Sequence, residues 1–273
     1  MNSPAMHEDD ARKQRERAFH NDAFGGDLRA GLGNIYKVAV PFSNHFRDMI
    51  VKEAEGKTIL EYGCGPGTYS LQLAARAHRV IGIDISDVAV ETARSRAIQR
   101  GASNTEFHRM DAEALTFDDG TFDLVCGRAI LHHLDLRRSF STIARVLKPE
   151  GKAFFLEPLG HNPIVNLYRK RTPALRTVDE HPLLKADYHL AQEYFKEVSI
   201  TPAVLLPLAA VPLLKFRGGE NARRMLAACD EVLLKLPWFR WQAWTSIWTF
   251  SGPKRTAPRN VASVSHPAEQ PAR

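Results

Sequence analysis

The sequence is poor in cysteine and lacks a long uninterrupted apolar run, and each shortage excludes a class of protein. Its three cysteines, Cys64, Cys126 and Cys229, are an odd number at irregular spacing, which predicts neither a disulfide framework nor a zinc cluster. Prolines interrupt the most apolar stretch, residues 200–216, so it falls short of the ~20 apolar residues of a membrane-spanning helix. The N-terminus has no apolar core typical of a secretory signal. We therefore expect a cytoplasmic protein without a transmembrane segment, and peripheral contact with a membrane stays open.

Charge alone does not identify a partner. The 273 residues carry a formal net charge of +6, with a pI near 9.3. A positive field attracts nucleic acid, anionic lipid and acidic metabolites alike. Part of the charge lies in residues 251–273, which are rich in proline, alanine and serine and which we expect to form a disordered basic tail.

From residue 57 onward, short apolar runs alternate with longer amphipathic segments. This pattern predicts βα units around a mainly parallel sheet, and therefore a doubly wound α/β domain. Seven strands are expected, at residues 57–62, 79–84, 104–111, 121–128, 152–158, 196–200 and 243–250. Helices are expected from Ser86 to about Gly101, over 137–148 and over 221–236, because capping residues flank the first and a proline and a glycine follow the second.

Three further segments are expected outside this sheet. Residues 1–56 precede the first strand and are interpreted as a helical N-terminal cap on the domain of residues 57–250. Residues 159–190 form an insertion rich in proline and histidine, and long segments of this kind are often functional. Residues 200–218 are too apolar for a free loop and are interpreted as a lid that faces the core or an acceptor pocket.

A glycine-rich loop follows the first strand and is the most informative motif. Residues 61–68 read EYGCGPGT, and glycines are needed where a backbone turns sharply and approaches a ligand closely. A dinucleotide fingerprint would place its third glycine at Thr68, but that glycine comes one residue earlier, at Gly67. The spacing therefore argues against a nicotinamide cofactor.

The sequence [E/D]-x-G-x-G-x-G after a first strand resembles the first motif of the class I S-adenosylmethionine-dependent methyltransferases. The resemblance covers residues 57–158, and RVLKPEG at 145–151 narrows it to the subgroup that contains the ubiquinone and menaquinone C-methyltransferases. It implies a Rossmann-like, seven-stranded sheet whose last strand is antiparallel, with S-adenosyl-L-methionine as cofactor. The C-terminal part departs from the quinone enzymes, so their substrate does not carry over.

The resemblance also implies a set of cofactor-binding residues. The acid that opens the motif orients the loop and the amino group of the cofactor, an acid after the second strand binds the ribose, and an acid after the third strand binds the adenine amine. By position these contacts fall on Glu61, Gly63, Cys64, Gly65 and Gly67 in the loop, on Asp84 and Ile85, on Asp111 and Ala112, and on Arg128 after the fourth strand.

Four residues are candidates for the chemistry of the acceptor. His132 and His133 follow the fourth strand at the edge where open α/β sheets bind ligands, and an imidazole can accept a proton near neutral pH. Glu157 and His161 follow the fifth strand. Each of the four also has a structural interpretation as a helix-start or hydrogen-bonding residue. The His and acidic residues here match no metal-binding spacing, so no metal is expected.

These observations predict a methyltransferase that acts on a small, partly apolar molecule, at an oxygen, nitrogen or carbon atom that the sequence does not identify. The positive charge keeps an RNA methyltransferase open, although the segment after the fourth strand lacks the Pro-Pro motif of amino-directed base methyltransferases. A non-catalytic, regulatory protein that binds S-adenosylmethionine is the other alternative. The sequence does not indicate the oligomeric state.

Overall fold

The computed structural model describes residues 4–25, 33–173 and 176–254. The described residues contain a seven-stranded sheet. Its strands are β1 (Thr58–Tyr62), β2 (Arg79–Asp84), β3 (Thr105–Arg109), β4 (Phe122–Arg128), β5 (Leu147–Pro158), β6 (Phe195–Ala203) and β7 (Thr245–Pro253).

The strand order is β3-β2-β1-β4-β5-β7-β6. Strands β1 to β5 are parallel, and β7 runs antiparallel to both β5 and β6. The predicted fold class, a doubly wound sheet with an antiparallel last strand, is therefore confirmed. The direction of winding reverses between β1 and β4, and such a reversal opens a crevice at the carboxyl ends of the strands.

Helices cover the sheet and its carboxyl edge. They are α1 (Pro4–Gly25), α2 (Gly33–Lys37), α3 (Val40–Glu53), α4 (Ser70–Leu73), α5 (Asp87–Arg100), α6 (Leu136–Val146), α7 (Pro163–Arg171), α8 (Lys185–Tyr194) and α9 (Gly219–Leu233). Because helices pack on both faces, the central strands are buried on both sides: Leu60 faces a cluster that contains Phe140, whereas Ile59 faces one that contains Phe46. This two-sided burial explains why the strands read as apolar runs.

Helix α5 begins and ends where the sequence predicts. The Ser86 side chain accepts a hydrogen bond from the backbone N–H of Ala89, at 3.1 Å. Gly101 ends the helix in a left-handed conformation, with φ of 63°, which favours glycine because it has no Cβ. This helix follows β2, so its N-terminal cap positions the residues at the end of that strand.

Other element bounds differ from the predictions. Strand β5 begins at Leu147, five residues before the predicted start, and the predicted helix over 137–148 ends at Val146. Helix α4, which follows the glycine loop, spans only Ser70–Leu73. Part of the predicted tail extends β7 to Pro253, and residues 255–273 of that tail lie outside the described residues.

The apolar segment of residues 200–218, interpreted from the sequence as a lid, packs against α9. It contains the end of β6 and a 3₁₀ helix, Leu206–Leu213. The backbone N–H groups of Leu205 and Leu206 donate hydrogen bonds to the carboxylate of Asp230 on α9, each at 2.8 Å. The buried Asp230 thus anchors this segment against α9, and its apolar character reflects packing against protein. In the part of the chain that the structure describes, no helix has the length and apolarity to cross a membrane.

Candidate functional site

The glycine loop adopts backbone conformations that only glycine adopts readily. Gly63, Gly65 and Gly67 have φ of 71°, 50° and 74°, in the left-handed region that a Cβ disfavours. A Cβ on Gly63 would lie 2.9 Å from Ile130, whereas Gly67 packs closely against α5 and β3. The loop therefore requires glycine at these positions, and its backbone at Gly63 and Gly65 lines the cavity described below.

Glu61 forms hydrogen bonds with Ser70, the residue at which α4 begins after the glycine loop. It is 4% exposed, and its Oε2 accepts hydrogen bonds from the backbone N–H of Ser70, at 2.7 Å, and from the Ser70 hydroxyl. Burial raises the pKa of Glu61 to about 8, although the two hydrogen bonds from Ser70 oppose this shift. Glu61 is therefore protonated at neutral pH.

Asp84 connects the end of β2 to the loop. Its Oδ2 accepts a hydrogen bond from the backbone N–H of Gly65 at 2.8 Å, and its Oδ1 accepts one from Ser86 N–H at 2.9 Å. Burial raises the pKa of Asp84 above its ordinary value against these two bonds. Each carboxylate oxygen can accept a second hydrogen bond, so Asp84 can still bind the hydroxyls of a ribose.

Asp111 and Glu113, after β3, bind the N-terminal helix. Asp111 Oδ2 lies 2.9 Å from Lys13 Nζ, and Glu113 Oε1 lies 2.6 Å from Arg12 Nη2. Arg12 also donates to the backbone carbonyl of His133, at 2.9 Å. Helix α1 thus lies across the carboxyl ends of the strands and is held there by ion pairs.

A cavity of about 600 Å³ opens at this edge of the sheet. Its lining includes most of the predicted cofactor-binding residues: Glu61, Gly63, Cys64, Gly65, Asp84, Ile85, Asp111, Ala112 and Arg128. It continues to His132, His133 and Glu157 and to residues from α1, α2, α7 and the start of β7. Gly67 and His161 are absent from the lining, so the structure brings together all but two of the predicted site residues.

The imidazole of His132 lies between two carboxylates and contacts both. Its Nδ1 lies 2.6 Å from Glu157 Oε2, and its Nε2 lies 3.3 Å from Glu180 Oε1. Burial opposes the charge on His132, but these two contacts outweigh it and raise the pKa of the imidazole to about 9. Glu157 Oε1 also accepts from the backbone N–H groups of Ile130 and Leu131, each at 2.9 Å. His132 is thus an imidazolium at neutral pH.

His133 has a different environment, although it is the next residue. Burial and the charge of His132 together lower its pKa below the ordinary value, against the opposing effect of Glu16. His133 is therefore neutral at pH 7. His161, in contrast, accepts a hydrogen bond from the backbone N–H of Lys185 at 2.9 Å and packs against Trp241, away from the cavity.

The far end of the cavity has an aromatic wall and a cation. The rings of Tyr36 and Trp244 lie 5.4 Å apart, and Tyr168 and Val165 line the cavity with them. Arg169 also lines it, and its Nη1 donates to the carbonyl of Leu159 at 3.0 Å. Burial lowers the pKa of Arg169 to about 10, so its guanidinium is charged at neutral pH in a partly desolvated place.

The insertion of residues 159–190 contributes to this end. Asn162 caps α7 by accepting from Ile164 N–H at 2.9 Å, and its amide donates to the carbonyl of Gln242 at 2.7 Å. The N–H of His181 donates to the carbonyl of His132, at 2.8 Å. The insertion therefore folds back over the turn that follows β4.

Several residues that line the cavity, Glu16, His20 and Tyr36 among them, are missing from the predicted site residues. They lie on helices α1 and α2, whose sequences show no motif.

The cofactor end fits S-adenosylmethionine. Gly63, Gly65 and the carboxylate of Asp84, which keeps acceptor capacity, line one end of the cavity. These groups match the donors and acceptors of an amino acid and a ribose. The Asp111 carboxylate is paired with Lys13, so an adenine amine would share it with this lysine.

Residues 59–151 match the model of a family described as a methyltransferase domain. These residues form a methyltransferase domain. Its strand order, its glycine loop and this match confirm the predicted resemblance to the class I S-adenosylmethionine-dependent methyltransferases. The match covers about a third of the chain, and the segments on both sides of it lie outside the match.

Similar proteins support this assignment for the core. The chain is 33% identical over 113 residues to the uncharacterized methyltransferase YcgJ of Bacillus subtilis, which covers 40% of this chain and 45% of that protein. It is 35% identical over 102 residues to the ubiquinone biosynthesis O-methyltransferase of Coxiella burnetii. That match covers 37% of this chain and 43% of that protein. The chain therefore spans less than half the length of these curated relatives.

A solved structure extends the likeness beyond the core. Phosphoethanolamine N-methyltransferase 2 of Haemonchus contortus, in complex with S-adenosyl-L-methionine, matches with a TM-score of 0.54. The match covers 74% of this chain and 50% of that chain at 19% identity. At this identity the likeness shows the fold.

Proposed function

We propose that this chain transfers a methyl group from S-adenosylmethionine to a small, partly apolar molecule. The observation that carries the proposal is the cavity, which joins the glycine loop and Asp84 at one end to Tyr36, Tyr168 and Trp244 at the other. Its volume, about 600 Å³, falls within the range of small-molecule sites. Two of the similar proteins carry names that refer to small molecules, ubiquinone and phosphoethanolamine.

At the cofactor end, each residue has a distinct task. Asp84 would bind the ribose, the loop at Gly63 and Gly65 would bind the amino-acid part, and the segment at Asp111 and Ala112 would face the adenine. The cofactor supplies an electrophilic methyl group on a sulfonium. The protein's contribution is to align the acceptor with that methyl group and to keep water out.

At the acceptor end, an apolar or aromatic body would pack on the wall formed by Tyr36, Tyr168 and Trp244. The charged Arg169 on the same wall would attract an acidic or strongly polar substituent of the acceptor. Aromatic side chains recognise flat rings through offset and edge contacts. A ring that carries a hydroxyl or carboxylate group therefore suits this end best.

Of the four predicted acid–base candidates, three are unsuited to accept a proton from the acceptor. His132 already carries its proton at neutral pH, Glu157 is occupied by three hydrogen bonds, and His161 lies away from the cavity. We infer that these residues fix the turn after β4 rather than accept a proton. His133 is left as the predicted residue that can interact with an acceptor.

A methyl-transfer assay tests the proposal. Purified chain would be incubated with radiolabelled S-adenosylmethionine and panels of phenols, aromatic acids, quinols and amines, with transfer RNA as a separate arm. We expect turnover on a member of the ring-containing panels, lost in Asp84→Ala and reduced in Trp244→Ala. Methylation of RNA alone, with binding that weakens steeply as salt rises, would refute the small-molecule acceptor. Binding of the cofactor without turnover on any arm would favour a regulatory protein.

A further inference from the structure

Three metal-binding side chains converge between the N-terminal helix and the turn after β4. Glu16 and His20 lie one turn apart on α1, and His133 ends the 3₁₀ turn Leu131–His133. Glu16 Oε2 lies 3.2 Å from His133 Nδ1 and 3.6 Å from His20 Nε2. The three ligand atoms all lie within 4.8 Å of one another.

Two of these atoms are buried without a hydrogen-bond partner among the described residues. They are Glu16 Oε2 and His133 Nδ1, which lie 3.2 Å from each other without the geometry of a hydrogen bond, on residues that are 4% and 8% exposed. The other carboxylate oxygen of Glu16 accepts a hydrogen bond from the Thr177 hydroxyl. Because a buried polar atom without a partner is costly, this pair of atoms needs an explanation.

The distances agree with coordination around one ion. Metal–nitrogen and metal–oxygen bonds of ~2.1 Å, at angles between octahedral and tetrahedral, place neighbouring ligand atoms about 3.0–3.4 Å apart. The Glu16–His133 distance of 3.2 Å lies in this interval, and the Glu16–His20 distance of 3.6 Å is slightly wider. The rings of His20 and His133 stand edge to face, with centroids 5.3 Å apart, so both nitrogens can point to one centre.

We propose that Glu16, His20 and His133 bind a divalent transition-metal ion. Two imidazoles and one carboxylate favour zinc, manganese, iron or cobalt over magnesium and calcium, which prefer oxygen ligands. Three protein ligands leave at least one coordination position for water or for a substrate oxygen. All three residues line the cavity described above, so that position is accessible to a molecule bound there.

The metal would act on the acceptor, and this part rests on the proposed function. A hydroxyl group of the acceptor bound to the metal would lose its proton to solvent water more readily. Its oxygen would then take the methyl group as the bond between that methyl and the sulfur of S-adenosylmethionine breaks and S-adenosylhomocysteine leaves. No separate protein base is then needed, which is consistent with the fixed positions of His132 and Glu157. The same ion would join α1 to the turn after β4 and so hold the cavity closed on that side.

Metal titration of the untagged full-length chain tests the site. After removal of metal with a chelator, Zn²⁺ would be titrated by calorimetry and Co²⁺ by visible absorption. We expect about one ion per chain and a cobalt spectrum typical of nitrogen ligands. His20→Ala should weaken binding by roughly 100-fold or more, since even loss of an outer-shell partner costs ~10–100-fold. His161→Ala, a histidine outside the cavity, should bind the metal like the natural chain.

Several outcomes would overturn the proposal. One such outcome is that the natural chain and His20→Ala bind the metal with equal affinity. Another is that His20→Ala and His161→Ala weaken metal binding equally. Circular dichroism and binding of S-adenosylhomocysteine check that the variants are folded. Methyl transfer that persists in metal-free protein would refute the acceptor role alone. Tight metal binding without any methyl transfer would refute the proposed function and leave the metal site intact.

Discussion

Replacing Glu61 with glutamine should change how the stability of the protein depends on pH. In the folded chain the pKa of Glu61 is about 8, raised by burial from an ordinary value of 4.5. Below pH 4.5 the carboxyl is protonated in both the folded and the unfolded state. As the pH rises from there towards 8, the unfolded state ionises while the folded state keeps its proton, so the free energy of unfolding falls.

The size of the effect follows from the difference between the two pKa values. At about 1.4 kcal/mol per pH unit, the interval from 4.5 to about 8 corresponds to roughly 4–5 kcal/mol. Above pH 8 both states are ionised and the curve levels off. The glutamine variant has no ionisable group at this position, and its amide oxygen can still accept from Ser70 N–H. It should therefore lack this fall.

Urea unfolding, followed by tryptophan fluorescence at about pH 5, about pH 6.5 and about pH 8, measures the effect. Glu61→Gln should gain stability relative to the natural chain as the pH rises across this series. Glu150→Gln, at an exposed position of β5, is the control and should follow the natural chain. Parallel curves for the natural chain and Glu61→Gln would show that Glu61 is not held protonated, and the reasoning from burial would fail.

Three substitutions test the two ends of the cavity. Gly65→Val should abolish binding of S-adenosylhomocysteine in calorimetry, because a β-branched residue at φ of 50° is strained and its side chain would face the ligand; unchanged affinity would contradict the loop assignment. Asp84→Ala should weaken the same binding by about 1.5–3 kcal/mol, the scale of charge-assisted hydrogen bonds, and a smaller loss would remove Asp84 from the ribose site. Trp244→Ala should raise the KM for the acceptor and leave cofactor affinity unchanged, and a loss confined to cofactor binding would contradict the acceptor wall.

Local signals in the sequence predicted the sheet and the cofactor end. The strands read as apolar runs because both faces are buried, and Ser86 and Gly101 mark the ends of α5 because capping depends on adjacent residues. The glycine loop and Asp84 follow strands directly, so their place in the chain fixes their place in the fold. These features require no knowledge of distant contacts.

Other features depend on distant contacts, and the sequence could not predict them. Helix α1 has no apolar stripe, and its ion pairs join residues about a hundred positions apart, such as Arg12 and Glu113. The apolar segment of residues 200–218 packs against α9, and hydrophobicity indicates that a segment is buried but not which element covers it. The different protonation of His132 and His133 likewise depends on the contacts of His132 with Glu157 and Glu180, which lie far away in the chain, and on the burial of His133.

The two ends of the cavity also differ in what relatives can reveal about them. Every predicted cofactor-binding residue, from Glu61 to Arg128, lies within residues 59–151, the part that matches the methyltransferase domain. Tyr36, Arg169 and Trp244 lie outside it, on segments that flank the core. The domain match therefore gives no basis for assigning the methyl acceptors of similar proteins to this chain. The choice of acceptor therefore depends on the aromatic wall, the half-buried guanidinium of Arg169 and the Glu16–His133 side of this cavity.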